Sequence, residues 1–133
     1  MNLQKKSQKI RILFIEDDLD MRKLITKYLR YCGFEVLEAE DGINGYDKAL
    51  LYYPDLILLD LLLPKVDGLT LCQRLKSDTR ISNIPTLMIT ALEELKYTLK
   101  DFGPVADDYI EKPFDLEELI EHIKALLKKS IKN

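Results

Sequence analysis

The residues that could carry chemistry stand at the ends of short apolar segments. The acidic run "EDD" at 16–18 follows "IRILFI", and Asp60 ends "LILLD". Thr90 lies at the end of "TLMIT", and Lys112 ends "YIEK". An isolated ionised carboxylate in an apolar interior is very costly. We therefore expect Asp60 to lie where its segment reaches a surface and also to be held by cations.

The elements that must position these residues follow from hydrophobic periodicity. Five apolar segments alternate with five segments that have apolar residues at helical spacing. The predicted strands cover 10–16, 34–39, 55–60, 84–91 and 107–112. The predicted helices cover 21–34, 41–54, 67–77, 92–102 and 114–129. Strands that alternate with helices predict a parallel sheet with helices on both faces, an α/β fold.

The helix periodicity also predicts which side chains face the core. In the last helix, Asp115 and Glu118 have the spacing of a capping box, and Gly33 gives the first helix a stop. The inward residues expected are Met21, Leu24, Ile25, Tyr28 and Cys32 in the first helix, Leu71, Cys72 and Leu75 in the third, and Leu116, Leu119, Ile120, Ile123, Leu126 and Leu127 in the last.

Composition limits the classes of function. The chain has 133 residues, enough for one domain, and its net charge of −3 gives no general electrostatic reason to bind nucleic acid. No apolar run is long enough to cross a bilayer, and we expect a cytoplasmic protein whose two cysteines are buried free thiols. We expect residues 1–9 to form a flexible tail, 10–129 the folded domain and 130–133 a frayed end.

The strand ends make the acids a group. In a parallel sheet all of these ends lie at one edge, where ligands of such folds bind. Two carboxylates about 5 Å apart repel by roughly 3 kcal/mol at an effective dielectric constant near 20. The cluster therefore needs counter-cations. Lys112 and a hard divalent ion that prefers oxygen ligands, such as magnesium, are suited to this role. A phosphoryl group is a natural anion for the open side.

Four fragments at these positions resemble the receiver domain of two-component response regulators. They are "ILFIEDD", "DLILLDLLLPKVDG", "MITA" and "DDYIEKPF", and the resemblance extends from about residue 9 to residue 127. The spacings also agree: 43 residues separate Asp17 from Asp60, 30 separate Asp60 from Thr90, and 22 separate Thr90 from Lys112. The resemblance implies a flavodoxin-like (βα)5 three-layer sandwich with strand order 2-1-3-4-5.

The resemblance also implies the chemistry. Asp60 would accept a phosphoryl group and form an aspartyl phosphate, Lys112 would contact the phosphoryl oxygens, and Thr90 would turn its hydroxyl onto them. Tyr109 would follow from an outward to an inward rotamer. The peptide bond from Lys112 to Pro113 is usually cis in such proteins. The domain would not be an enzyme beyond this phosphotransfer to its own aspartate and slow hydrolysis of the aspartyl phosphate.

A magnesium ion is implied as well. Asp17 and Asp60 would bind it directly, the carbonyl of Leu62 would be a further ligand, and Glu16 would act mainly through water. Leu62 and Leu92 occupy the two positions that tune self-hydrolysis in this family, where many relatives have a polar group. Two leucines would position an attacking water poorly. We therefore expect slow autodephosphorylation.

The implied partners are other signalling proteins. A sensor histidine kinase or a histidine phosphotransfer protein would supply the phosphoryl group, or a small acyl phosphate would. The face formed by the fourth helix, fifth strand and fifth helix would then bind a downstream effector or a second copy of the chain. We expect neither direct nucleic acid binding nor membrane association. The chain could be a stand-alone regulator or part of a larger one.

Other interpretations fit less well. A haloacid-dehalogenase-type phosphatase has a second aspartate two residues after its nucleophile, where this chain has Leu62. A phosphorylation-independent interaction domain would usually have lost one of the site residues, and all are present. Tyr109 could simply be a packing residue. We expect His122 to be solvated.

Overall fold

The computed structural model describes residues 9–132 and contains the expected alternation of strands and helices. Each observed element lies inside or within a few residues of its predicted segment. The strands are β1 (Arg11–Ile15), β2 (Glu35–Ala39), β3 (Leu56–Asp60), β4 (Thr86–Ala91) and β5 (Asp108–Lys112). The helices are α1 (Leu19–Tyr31), α2 (Gly42–Tyr52), α3 (Gly68–Ser77), α4 (Leu92–Phe102) and α5 (Leu116–Lys132).

The five strands form one parallel sheet in the order β2-β1-β3-β4-β5. One core cluster lies between the sheet and helices α1 and α5, and a second lies between the opposite face and helices α2 and α3. Helix α4 contacts β4 and β5. The predicted doubly wound, flavodoxin-like three-layer sandwich is confirmed, with β2 at one edge and β5 at the other.

Strand β3 is the centre of this core. All five of its residues are buried, and it pairs with β1 on one side and β4 on the other. Leu56 and Leu58 belong to one core cluster, whereas Ile57 and Leu59 belong to the other. The continuous apolar run therefore exists because both faces of the strand are covered. The run ends at Asp60, the last residue of the strand, which lies at the edge formed by the carboxyl ends of the strands.

Aspartates begin four of the five helices. The carboxylates of Asp18, Asp41 and Asp67 each accept a hydrogen bond from a backbone N–H in the first turn of α1, α2 and α3. Asp115 accepts one from Glu118 at 2.7 Å, as the predicted capping box requires of its first residue. These caps satisfy N–H groups that have no partner inside the helix. Most acids in the loops thus have a structural role.

Some of the predicted inward residues of α1 were wrong. Leu24 is 57% exposed and Cys32 is exposed, whereas Ile25 and Leu29 fill the core together with partly buried Met21 and Tyr28. The apolar residues of α1 occupy more than one face, so spacing alone did not identify the buried face. The predicted inward residues of α3 are buried, and those of α5 are buried or, for its first leucine, partly buried.

His122 also differs from expectation. Its Nδ1 lies 2.7 Å from Oδ2 of Asp108, so the ring is held between α5 and β5 and is not simply solvated. None of the helices in residues 9–132 is long and apolar enough to cross a membrane. The predicted tail lies almost entirely outside the described residues, and the domain limits remain a prediction.

A glycine lets the chain pass closely behind the end of β3. A Cβ added at Gly68 would lie 2.3 Å from the carbonyl oxygen of Asp60 and 2.6 Å from Cα of Leu61. Both neighbours are backbone atoms, so neither can move aside without shifting the strand. We expect Gly68→Ala to lower the free energy of unfolding by about 3 kcal/mol, the upper part of the usual range for overpacking.

Gly33 is the matched control, because it has a φ of 99° but open space where a Cβ would be. Gly33→Ala should cost only about 1 kcal/mol, from backbone strain alone. Urea denaturation of the two variants measures both values. Equal losses of stability would show that the close approach at Gly68 is not important.

Candidate functional site

The carboxyl ends of the strands bring the candidate residues to one edge of the sheet. Glu16 directly follows β1, Asp60 ends β3, and Lys112 ends β5. Between them, β4 aligns its Ile89 with Asp60 and its Ala91 with Lys112. Residues separated by up to 96 positions in the sequence therefore meet in space. This is the edge at which parallel sheets bind ligands.

Asp60 is held from two sides. It is only 4% exposed, although it is acidic. Its Oδ2 accepts a hydrogen bond from Nζ of Lys112 at 2.7 Å, and its Oδ1 accepts one from the backbone N–H of Leu62 at 3.0 Å. The charge that seemed out of place in an apolar segment is thus paired and hydrogen-bonded, as a buried carboxylate must be.

Glu16 is a second buried carboxylate beside the first. It is 3% exposed, and its Oε2 accepts a hydrogen bond from the backbone of Asp18 at 3.2 Å. Burial raises the pKa of Glu16 to about 8, and the neighbouring charge of Asp60 adds to the increase. Without a further cation, Glu16 therefore keeps its proton at neutral pH.

Lys112 supplies the positive charge of the site. Burial disfavours its charged form, but the hydrogen bond and the charge of Asp60 outweigh this effect and raise the pKa of Lys112. The ammonium therefore stays charged at physiological pH. The peptide bond between Lys112 and Pro113 is cis, as the resemblance implies.

The predicted site residues Asp17, Leu62 and Leu92 are all exposed. Asp17 is exposed and forms no ion pair with another residue in the described range. Leu62 is 60% exposed, and Leu92, at the start of α4, is 40% exposed. Both apolar side chains are therefore exposed to solvent.

Neither Thr90 nor Tyr109 forms a hydrogen bond with Asp60 within the described residues. Thr90 is 1% exposed, and its hydroxyl donates to the carbonyl oxygen of Ala91 at 3.1 Å. Tyr109 is half-buried, and its hydroxyl oxygen accepts hydrogen bonds from the backbone N–H groups of Val105 at 2.6 Å and Ala106 at 3.0 Å. Both hydroxyls are therefore engaged with backbone groups near the site.

The donor set fits a hard divalent cation. Residues 9–132 contain no tight group of three or more histidine, cysteine, aspartate or glutamate side chains. A pair of adjacent carboxylates is nonetheless present, and burial together with the charge of Asp60 raises the pKa of Glu16. Oxygen ligands, few in number and completed by water, are what magnesium accepts. Glu16, Asp17, Asp60 and the carbonyl of Leu62 are the groups that could hold it.

Sequence reasoning missed one residue of this site. The Nη1 of Arg22 donates to the carbonyl oxygen of Glu16 at 2.8 Å, and its Nε lies 3.2 Å from Oε1 of Glu38. A side chain that binds a backbone carbonyl leaves no signature in residue types. The one available signal was an arginine in the first turn of a helix, where acidic residues are the ones that the helix dipole favours.

Comparisons with known proteins agree on one family. The sequence profile described as "Response regulator receiver domain" matches residues 12–124. A DNA-binding dual master transcriptional regulator, RpaA, from Synechocystis sp. is 48% identical over 120 residues, which cover 90% of this chain and 50% of the relative. The response regulator ArlR from Staphylococcus aureus is 39% identical over 120 residues, which cover 89% of this chain and 52% of the relative.

Solved structures agree with the sequence comparisons. The receiver domain of a signal transduction histidine kinase from Syntrophus aciditrophicus is 30% identical with a TM-score of 0.83, and the match covers 90% of both chains. The receiver domain of the sensor histidine kinase PA1611 from Pseudomonas aeruginosa is described with magnesium in its active-site cleft. It is 26% identical with a TM-score of 0.82, over 91% of this chain and 99% of that one.

The chain spans about half the length of the two response regulators that it matches. The family profile, in contrast, covers most of the chain, and the fold agrees with the solved receiver domains. The chain therefore belongs to the response regulator receiver domain family, the signalling domain of two-component systems.

Proposed function

We propose that this domain accepts a phosphoryl group on Asp60. The observation that carries the proposal is the environment of that carboxylate, which is nearly buried, bonded to Lys112 at 2.7 Å and adjacent to the carboxyl group of Glu16. An oxygen of Asp60 attacks the phosphorus atom, and the bond from phosphorus to the donor's leaving group breaks. The product is an aspartyl phosphate.

Positioning and charge are what the protein contributes. The ammonium of Lys112 lies within hydrogen-bonding distance of the nucleophile and can contact the oxygens of the transferred group. Asp17, Asp60 and the carbonyl of Leu62 would hold magnesium directly and Glu16 mainly through water, and the ion would supply charge that neutralises phosphoryl oxygens. For Thr90 to bind the new group, its hydroxyl must leave the carbonyl of Ala91.

The donor follows from the family. A phosphohistidine on a histidine kinase or phosphotransfer protein supplies the phosphoryl group, and a small acyl phosphate can replace it. The matched relatives include a DNA-binding regulator, which supports a downstream effector that controls transcription. The acidic net charge of −3 gives this domain itself no reason to bind DNA.

The output is a change at the face formed by α4, β5 and α5. Tyr109 lies on β5 and bonds to the turn that follows α4, so a change in its position alters both elements. Phosphorylation then favours one of two conformations of this face, and an effector or a second copy of the chain binds that conformation.

Phosphorylation of Asp60 can be measured directly by mass. Incubation with acetyl phosphate or phosphoramidate and magnesium should add one phosphoryl group to the wild-type protein. Asp60→Asn lacks the nucleophile and should gain none, and a sample with EDTA should also remain unmodified. Intact-mass spectrometry follows the reaction.

A phosphoryl group on Asp60→Asn would show that the acceptor lies elsewhere. A wild-type protein that gains no group from either small donor or from a panel of histidine kinases would favour a phosphorylation-independent interaction domain. Asp55→Asn is a control, because Asp55 is exposed at the opposite end of β3 and should leave phosphorylation unchanged.

The two leucines at the opening should make the aspartyl phosphate long-lived. Leu62→Asn and Leu92→Glu each place a polar group where it can orient a water. Each should speed the loss of phosphate by about tenfold, less than a fully positioned acid or base supplies. Phosphate release from the purified phosphoprotein measures the rate.

Leu51→Asn is the matched control, since Leu51 is 73% exposed on α2. Its rate of phosphate release should equal that of the wild type. Fast release by the wild type, unchanged by substitution of either Leu62 or Leu92, would contradict the proposed long lifetime.

Tyr109 should report the switch through the two backbone amides that it holds. On phosphorylation, amide exchange at Val105 and Ala106 should speed up in the wild type, because the phenol oxygen leaves them. In Tyr109→Phe, exchange should already be fast and should not change. Hydrogen exchange followed by NMR tests this, with Tyr97→Phe, an exposed tyrosine of α4, as the control. Unchanged protection in the phosphorylated wild type would mean that the hydroxyl does not move.

A further inference from the structure

The turn between β1 and α1 carries two of the acids assigned to magnesium. Its conformation is held mainly at Glu16, whose N–H donates to the carbonyl oxygen of Ala39 at 2.9 Å. The carbonyl oxygen of Glu16 accepts from Arg22 at 2.8 Å. Because both backbone groups are bonded, the peptide planes on either side of Glu16 have a fixed direction.

Arg22 reaches this carbonyl from the first turn of α1. Its own N–H donates to the carbonyl oxygen of Asp18 at 2.9 Å, so its backbone is part of the regular helix. Its side chain is only 14% exposed, and Nε lies 3.2 Å from a carboxylate oxygen of Glu38 on β2. The planar guanidinium therefore joins the helix, the end of β1 and the edge strand, with several donors in one rigid group.

Arg30 shows what the same residue type does away from the site. It lies two turns later on α1, donates to the carbonyl oxygen of Val36 at 3.0 Å and approaches the other oxygen of Glu38 at 3.8 Å. Both arginines thus attach α1 to β2 through Glu38. Of the two, Arg22 is the one that bonds to the turn of Glu16 and Asp17.

We propose that Arg22 is a positioning residue for the magnesium site, acting through the carbonyl of Glu16. This inference rests on the proposed function. Asp17 is exposed and forms no ion pair within residues 9–132, so the direction of its carboxylate depends on the main chain of the turn. Groups that orient the ligands of a metal commonly change its affinity by 10- to 100-fold when they are removed.

The positive charge of Arg22 alone would predict the opposite result, namely tighter magnesium binding when Arg22 is removed. A cation close to the site repels magnesium, so its removal would strengthen binding if charge were the main effect. Glu38 already compensates that charge at 3.2 Å. We therefore expect loss of the hydrogen bond to Glu16 to dominate and removal of Arg22 to weaken magnesium binding.

The experiment is isothermal titration of the full chain with magnesium chloride at constant ionic strength. Arg22→Met removes both charge and donors, and its dissociation constant should rise about tenfold. Arg22→Lys retains a charged donor, and Arg22→Gln retains an uncharged donor on a shorter side chain. Both should fall between the wild type and Arg22→Met. Arg30→Met should bind magnesium like the wild type.

Equal affinities for the wild type and Arg22→Met, or tighter binding by Arg22→Met and Arg22→Gln, would overturn the role of Arg22. A wild type that binds no magnesium would instead refute the metal site of the proposed function. Thermal unfolding by circular dichroism checks folding. If Arg22→Met does not fold, Arg22→Gln must bind more weakly than Arg30→Gln, and equal affinities would overturn the inference.

Discussion

The structure depends on two adjacent buried carboxylates that share one ammonium. Glu16 and Asp60 are each less than 5% exposed, and Lys112 bonds to one of them. Burial disfavours the charged form of Glu16, the neighbouring charge of Asp60 adds to this effect, and together they raise the pKa of Glu16 to about 8. Either a proton or a bound divalent cation could offset the repulsion between the two carboxylates.

This arrangement persists because Asp60 cannot move away from its neighbour. It ends a strand whose five residues are buried, between two other strands, so its backbone is fixed on both sides. Behind it, Gly68 brings the start of α3 within van der Waals contact of the Asp60 carbonyl. A strand buried on both faces can hold a charged residue in an unfavourable position because moving it would uncover the core. The burial of the leucine segment therefore keeps the carboxylate of Asp60 next to that of Glu16.

Local patterns predicted the elements and the strand ends, and their failures have physical causes. Buried strands are short continuous apolar runs, too short for typical helices, so β1, β3 and β4 were found from sequence. The inward face of α1 was partly wrong, because Leu24 and Cys32 have helical spacing but face solvent. The contacts of Arg22 were missed because it bonds to a backbone carbonyl. No residue-type pattern encodes such a bond, which exists only once the sheet has placed β2 beside β1.

The two hydroxyls near the site limit what phosphorylation alone can achieve. Thr90 and Tyr109 both have backbone partners in this structure, and in the proposed switch each would exchange them for new ones. A hydrogen bond contributes about 1 kcal/mol net, and an exchange of one for another contributes less. Complete conversion from 1:99 to 99:1 would need about 5.5 kcal/mol. Two exchanged hydroxyls fall short of this amount, so in the proposed switch the hydroxyl exchanges alone would shift the populations only in part. Under the proposed function, binding of a partner to the face of α4, β5 and α5 would complete the change, and the effector would then take part in the switch.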